Sequence, residues 1–518
     1  MKMIFIQPPR LFLAIFACAI LLMASCNKNE SKGTEIAEER PNIIFILADD
    51  QRANTIHRLG NEDIKTPTMD SLSSVGTTFT NNYIMGAMNA AVCAPSRAML
   101  MTGRNLFHIT PSGDDIESVN TTLPEQLQAY GYTTFHTGKW HNGKEAFVRS
   151  FTSGDQIFFG GMSDHYNVPL QYFDSSGNYP NDGVHYLQQH STDIYAQAAV
   201  KFLEEEQSER PFFMFVAFQA PHDPRQVPEK YLQMYDADEI ALWPNFMPEH
   251  SFDNGEMGVR DEMLIPTPRS PEDVKMHIAA YYAMVTHIDE AMGKIMTALQ
   301  ASGKADNTYI IFAADNGLAL GAHGLLGKQS IYEHSIKVPL IISGPGLPQD
   351  RVSTSGTYLF DIYPTIMELA KTPIPETVQG KSLVSILQGD TTGNRQDMVF
   401  GYKNSQRALR TGDLKLILYN VKGVYHTQLY NLKDDPWEMN NLSSKAEWAS
   451  KIDSMKQHLN TLLASAGDSV DFDKAQWGVP EIPSWAEKMQ KNNPDALGKF
   501  RKMAEEENDM VKGYWKED

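Results

Sequence analysis

The chain has 518 residues, 42% of them hydrophobic and 21% charged, with a formal net charge of −19. On a prior of about 150 residues per domain there is room for more than one domain, and the acidity excludes a nucleic-acid binder, which needs a basic surface. An acidic chain holds an anionic ligand only where a few cations converge in one pocket, so isolated basic residues near strand ends carry information.

Lys2 and Arg10 make a basic start, and Leu11 to Met23 form an apolar stretch too short to span a bilayer comfortably. The stretch closes on Leu22-Met23-Ala24-Ser25-Cys26, which resembles a bacterial lipobox, with Met23 unusual at its position. Residues 1–25 are therefore expected to be a lipoprotein signal peptide, Cys26 to carry the lipid, and the polar, aperiodic residues 26–40 to form a flexible tether. Such a protein is exported and held at a membrane by its lipid alone, in the periplasm on the outer membrane or at the cell surface. From Pro41 onward no stretch is apolar enough to span a bilayer, and neither an internal repeat nor a low-complexity run occurs.

Asn42 to Ala48 is a largely continuous apolar run, the pattern of a strand buried on both faces, and Asp49-Asp50 follow it directly. In Cys93-Ala94-Pro95-Ser96-Arg97, Pro95 suits the first turn of a helix running on to Met101. Residue 93 then lies at a helix N-terminus, which favours developing negative charge, and Arg97 falls about one turn further along. Once Cys18 is discarded with the leader and Cys26 is lipidated, Cys93 has no disulfide partner; it reads as a chemical group, the alternative being a small buried hydrophobe.

Lys139 and His141 alternate in Thr137-Gly138-Lys139-Trp140-His141, and on a strand both would face one pocket; taken singly they would be a solvated lysine and a satisfied polar side chain. Thr192 is expected to N-cap a helix with Ile194, Tyr195, Ala198 and Phe202 on one face. Pro211 to Phe218 is a second buried strand, followed by Gln219-Ala220-Pro221-His222-Asp223-Pro224, whose prolines stiffen the loop around His222. For Asp223 and Arg225 a local salt bridge is expected. Tyr309 to Ala314 is a third such strand, and Asp315-Asn316-Gly317 follow. After the glycine-rich segment ending in Lys328, apolar residues recur at Ile336 to Ile342, and a turn-rich stretch continues through Gly389. Strands are expected around Arg410 to Tyr419 and Gln428 to Leu432, and the tail from Ala446 mixes helical periodicity with charge.

Alternating strands and helices indicate a doubly wound α/β domain, in which ligands bind at the carboxyl ends of the strands. There Asp49, Asp50, Asp315 and Asn316 would meet. They offer only oxygen, which suits Ca²⁺ or Mg²⁺ and not zinc, although any one Asp at a strand end would by itself read as a turn or helix-cap residue.

Cys93 to Arg97 together with Thr102-Gly103-Arg104 resembles the sulfatase signature C-x-P-S-R-x-x-x-x-T-G-R. Gly138-Lys139-Trp140-His141, Ala220-Pro221-His222-Asp223-Pro224, Lys328 with Tyr332-Glu333, Asp361-Ile362-Tyr363-Pro364-Thr365, and Asp435-Pro436 with Glu438 and Asn441-Leu442 resemble further motifs of that family, in its order, over Pro41 to Leu442. The resemblance implies an alkaline phosphatase-like α/β fold: a large mixed, mostly parallel sheet sandwiched by helices in a catalytic domain over 41–392, and a smaller C-terminal α+β domain with an antiparallel sheet over 393–518. It implies that a formylglycine-generating enzyme oxidises Cys93, and that the hydrated aldehyde is the nucleophile. It implies one Ca²⁺, before Mg²⁺, held by Asp49, Asp50, Asp315 and Asn316 with residue 93 completing the set. Arg97 would orient the hydrate, Lys139 and Lys328 would bind sulfate oxygens, His222 would bind substrate and protonate the leaving alcohol, and His141 would be the base. The implied reaction is hydrolysis of sulfate esters on carbohydrates such as glycosaminoglycan, mucin or algal fragments. Two alternatives stay open: a phosphonate monoester or phosphodiester hydrolase of the same superfamily, and a non-catalytic glycan-binding lipoprotein that keeps the Cys93 thiol.

Overall fold

A computed structural model describes residues 40–390, 395–470, 472, 477 and 485–515. The expected signal peptide, Cys26 and the tether up to residue 39 lie outside the described residues. Along the chain the first strands are β1 (Asn42–Ala48), β2 (Thr77–Phe79), β3 (Asn82–Tyr83), β4 (Gly86–Ala87), β5 (Thr133–Lys139), β6 (Ser153–Phe158) and β7 (Phe212–Ala217). They are followed by β8 (Thr308–Ala314), β9 (Leu340–Ser343), β10 (Arg351–Ser353), β11 (Thr357–Tyr358), β12 (Asp397–Tyr402), β13 (Gln406–Thr411), β14 (Leu414–Val421) and β15 (Val424–Asn431).

Eight strands form the main sheet in the order β10-β2-β9-β8-β1-β7-β5-β6. From β8 to β6 every neighbouring pair is parallel, while β9 runs antiparallel to both of its neighbours. All seven residues of β1 and all six of β7 are buried, as unbroken apolar runs require when both faces of a sheet are covered. Helix Ser191–Glu205 packs on β5, β6 and β7 and against the long helix Pro271–Ala301, and helix Cys93–Thr102 packs with helices Leu123–Ala129 and Ile362–Leu369. The cap of Ser191–Glu205 is His190, one residue before the helix, and not Thr192: His190 Nδ1 accepts the Thr192 N–H at 3.2 Å. The His190 ring stacks on His165 and packs at a tilt against His287, which holds that acceptor in place.

A second sheet, β15-β14-β13-β12-β4, is antiparallel from β15 to β12 and closes with the parallel strand β4. Strand β12 falls in a segment where the sequence reading has no strand. At the joint Gly86 opposes Gly401; a Cβ on Gly86, whose φ is +106°, would lie 2.0 Å from the Gly401 carbonyl oxygen. This close approach belongs to glycine. The described residues from 41 onward cluster as one compact unit.

Helix Pro494–Gly513, in the tail without motifs, buries Leu497, Ala504 and Val511, a heptad-spaced stripe. It docks on Pro271–Ala301 and on the short 3₁₀ turn Arg260–Met263. Among the described residues no helix is long and apolar enough to cross a membrane.

Candidate active site

Because β8, β1, β7 and β5 are adjacent and parallel, their carboxyl ends share one edge. Ala48 is level with Ala314, and Ala217 is paired with both Leu47 and Gly138. The residues just beyond, Asp49-Asp50, Asp315-Asn316, Lys139 and the loop through His222, therefore converge at that edge. Cys93 opens helix Cys93–Thr102 and faces them with 2% of its surface exposed.

Cys93 Sγ lies 3.3 Å from His141 Nδ1 and 3.5 Å from Lys139 Nζ. Lys139 Nζ also contacts Asp49 Oδ2 in a buried ion pair. Lys328 Nζ donates to Asp50 Oδ1 at 2.6 Å, and Asn316 Nδ2 donates to the same oxygen at 2.7 Å. His222 Nε2 lies 3.7 Å from Asp50 Oδ2, while its Nδ1 lies 2.7 Å from the Asp223 carbonyl oxygen. The expected catalytic, substrate-binding and metal-binding residues thus lie together in one largely buried cluster, while Cys26 falls outside the described residues.

Two of them reach it differently from the sequence reading. β5 ends at Lys139, so His141 does not share a strand face with it; a left-handed backbone at His141, φ +71°, turns the ring toward Cys93. Arg97 does not reach Cys93 by any hydrogen bond: its Nε donates to Asp315 Oδ2 at 2.7 Å and its Nη1 to the Lys139 carbonyl at 2.7 Å. It ties helix Cys93–Thr102 to two strand ends. Asp223 and Arg225 do not pair with each other either. Asp223 takes both Nη atoms of Arg260, and Arg225 Nη1 donates to Glu507 at 2.9 Å, an acceptor 282 residues away that local spacing could not reveal. Gly161 is a further residue that sequence reasoning passed over, and no motif marks it: its backbone lies against the His141 ring.

The electrostatics follow from burial among charges. Burial pushes the Cys93 thiol up, with Lys139 and Lys328 pulling the other way. Burial, then the charges of Lys139, Arg97 and Lys328, hold His141 well below the usual imidazole range and so favour its neutral form. Burial opposes the Lys328 charge, but Asp50 outweighs it and keeps the ammonium well above its ordinary value.

The cluster fits a hard cation. Asp49 Oδ1, Asp50 Oδ2 and Asn316 Oδ1 are buried and have no hydrogen-bond partner, a costly state for three acceptors unless a cation takes them up. One ligand atom each from Asp49, Cys93 and Asp315 lie within 4.8 Å of one another.

Residues 41–372 match the family model described as Sulfatase, and residues 321–465 match that described as N-sulphoglucosamine sulphohydrolase, C-terminal. An N-acetylglucosamine-6-O-sulfatase of Bacteroides thetaiotaomicron is 28% identical over 88% of this chain and 90% of its own. An ulvan-active sulfatase of Formosa agariphila is 28% identical over 89% of this chain and 91% of its own. A structure solved in complex with its substrate D-glucosamine-2-N,6-O-disulfate superposes with a TM-score of 0.70 at 25% identity, covering 84% of this chain and all of that one.

Proposed function

As the chain belongs to the sulfatase family and is a sulfuric ester hydrolase, we propose that it removes sulfate esters from carbohydrates by way of a formylglycine made from Cys93. The observation that carries this reading is Cys93 at a helix N-terminus, 3.3 Å from His141 and 3.5 Å from Lys139, beside an all-oxygen cluster with three open acceptors.

Asp49, Asp50, Asp315 and Asn316 would hold the cation, Ca²⁺ by the family's pattern, which supplies Lewis acidity at the reacting oxygens. A hydrated aldehyde at position 93 would supply one hydroxyl as nucleophile toward sulfur and a second whose deprotonation would let sulfate leave. Lys139 and Lys328 neutralise the sulfate oxygens from two sides, as fixed cations in a dry site do best. His141 takes the proton from residue 93. His222 gives one to the departing alcohol, its ring held by the Asp223 carbonyl at 2.7 Å. Arg97 locks helix Cys93–Thr102 to Asp315 and so fixes where residue 93 stands.

The substrate class rests on the relatives' carbohydrate substrates, and export as a lipoprotein anchored through Cys26 belongs to the same proposal. The test is sulfate release from defined sulfated disaccharides, beginning with 6-O-sulfated N-acetylglucosamine and ulvan fragments, by protein shown by mass to carry formylglycine. Release that falls to background in Cys93→Ala supports the mechanism. Faster turnover of phosphonate esters than of any sulfate ester, or wild-type release by the Cys93→Ala variant, would overturn it.

A further inference from the structure

His222 enters the buried cluster through one atom. The Asp223 carbonyl oxygen accepts its Nδ1–H at 2.7 Å, which leaves Nε2 to face Asp50 Oδ2 at 3.7 Å. The ring therefore stands where the main chain just after it stands. Residue 222 itself is held from within the domain: its carbonyl accepts from His165 Nε2 at 2.9 Å, and its N–H donates to the Gln219 carbonyl at 3.2 Å.

The segment that follows is held from elsewhere, by helix Pro494–Gly513 and the two residues after it. Glu507 Oε1 accepts from Arg225 N at 3.2 Å and from Arg225 Nη1 at 2.9 Å, and the Tyr514 hydroxyl donates to the Arg225 carbonyl at 2.9 Å. Both main-chain groups of Arg225 are thus taken by the tail. The same helix packs on the turn Arg260–Met263, whose Arg260 donates to both carboxylate oxygens of Asp223. The tail has its own anchors on the rest of the fold. Asn508 Oδ1 lies 3.1 Å from His277 Nε2 and Lys512 Nζ lies 2.8 Å from Asp273 Oδ2, both on the long helix Pro271–Ala301, and Trp515 Nε1 donates to the Tyr235 carbonyl at 3.0 Å.

Arg225 and Glu507 are both buried, and removing one member of such a pair leaves the other charged and unpartnered in a dry environment. Without Glu507 the Arg225 guanidinium and N–H have to find other acceptors, and the peptide that aims His222 moves with them. The tail reaches the reaction in this way without touching substrate. A displacement of about 1 Å can cost a positioned group on the order of a hundredfold in rate. The loss has a chemical signature, because an acid matters greatly to a sugar alkoxide, a poor leaving group, and little to a nitrophenolate, which departs unprotonated.

Resting on the reading of His222 as the acid, we propose that Glu507 is a positioning residue for it, acting through Arg225, so that helix Pro494–Gly513 is a working part of the site. The experiment measures, in full-length protein shown to carry formylglycine, kcat/KM for the sulfated disaccharide that the wild type turns over fastest, divided by kcat/KM for 4-nitrophenyl sulfate. An unfolded fraction lowers both numbers alike and leaves their ratio where it was. Glu507→Ala is expected to lower the ratio at least tenfold, and to add nothing further in a His222→Ala background, as a residue acting only through His222 must. Tyr514→Phe, which keeps the ring and removes a single hydrogen bond to Arg225, is expected to lower it about threefold. A wild-type ratio in Glu507→Ala, or in Tyr514→Phe should Glu507→Ala fail to fold, overturns the positioning role and leaves the sulfatase reading standing, as does an undiminished effect of Glu507→Ala in the His222→Ala background. A wild-type ratio in His222→Ala overturns the acid and its positioning together, and release from no sulfate ester overturns the sulfatase reading itself.

Discussion

Gly161 touches His141 through backbone alone. A Cβ there would sit 2.6 Å from His141 Nε2, so the ring must turn and its Nδ1 must leave Cys93. On the proposed role of His141 as base, Gly161→Ala is expected to lower kcat by roughly ten- to a hundredfold, the penalty of a displaced catalytic group, with little change in Tm. Wild-type turnover in that variant would mean that His141 is not the base. Asp50 and His141 both hold left-handed backbone, at φ +65° and +71°. Sparsely populated conformations of this kind, kept at a site, are paid for by the packing around them. The side-chain types of the site were legible from the sequence, since strand-terminal Asp pairs and a lone cysteine stand out. The backbone turn that aims His141 was not, because alternation on a strand is the default reading for residues two apart.

Between elements, helix Pro67–Ser74 starts on Asp289 of the long helix Pro271–Ala301, whose carboxylate accepts from Thr68 N at 2.9 Å and Met69 N at 2.7 Å. Burial raises Asp289 to about 6, against the pull of those two N–H groups. A raised carboxyl binds its proton more tightly folded than unfolded, so this contribution to stability is full below about pH 4 and is lost as pH rises through 6. Asp289→Asn is expected to flatten the fall in unfolding free energy between about pH 4 and 6 by on the order of 1–3 kcal/mol. Denaturant melts across that range check it, and an unchanged slope assigns the effect elsewhere. The strands β1, β7 and β8 were legible as apolar runs because they are buried on both faces. β12 was not: in Asp397–Tyr402 only Met398, Val399 and Phe400 form an apolar run before Gly401, and the parallel partner β4 lies hundreds of residues away, where a two-residue strand leaves no pattern.

In the molecule as a whole, the open oxygens of Asp49, Asp50 and Asn316 come from segments remote in the chain. A cation bound by all of them favours the folded state by mass action. Ca²⁺ at about a hundred times its Kd is expected to raise Tm by on the order of 2–5 °C over chelator-treated protein, from roughly 2.7 kcal/mol of linkage. A calorimetric Tm indifferent to both Ca²⁺ and Mg²⁺ would rule the metal out. The order of motifs made the α/β architecture and the convergence of the strand ends readable, because parallel neighbours deliver their ends to one edge. The place of helix Pro494–Gly513 was not readable, since Glu507 and Arg225 find each other only through the finished tertiary structure.

The pairing of β4 with β12 also sets a clock. Gly86–Ala87 lies just before Cys93, yet its partner strand is Asp397–Tyr402, so the fold around the cysteine is complete only once those distant residues are in place. On the proposed chemistry, Cys93, 2% exposed once folding is complete, would be open to an oxidising enzyme only before that closure. On the proposed chemistry, the fraction of active molecules is decided by a race between modification and folding, so expression temperature and the supply of the maturation enzyme would govern specific activity in preparations that are otherwise equally folded.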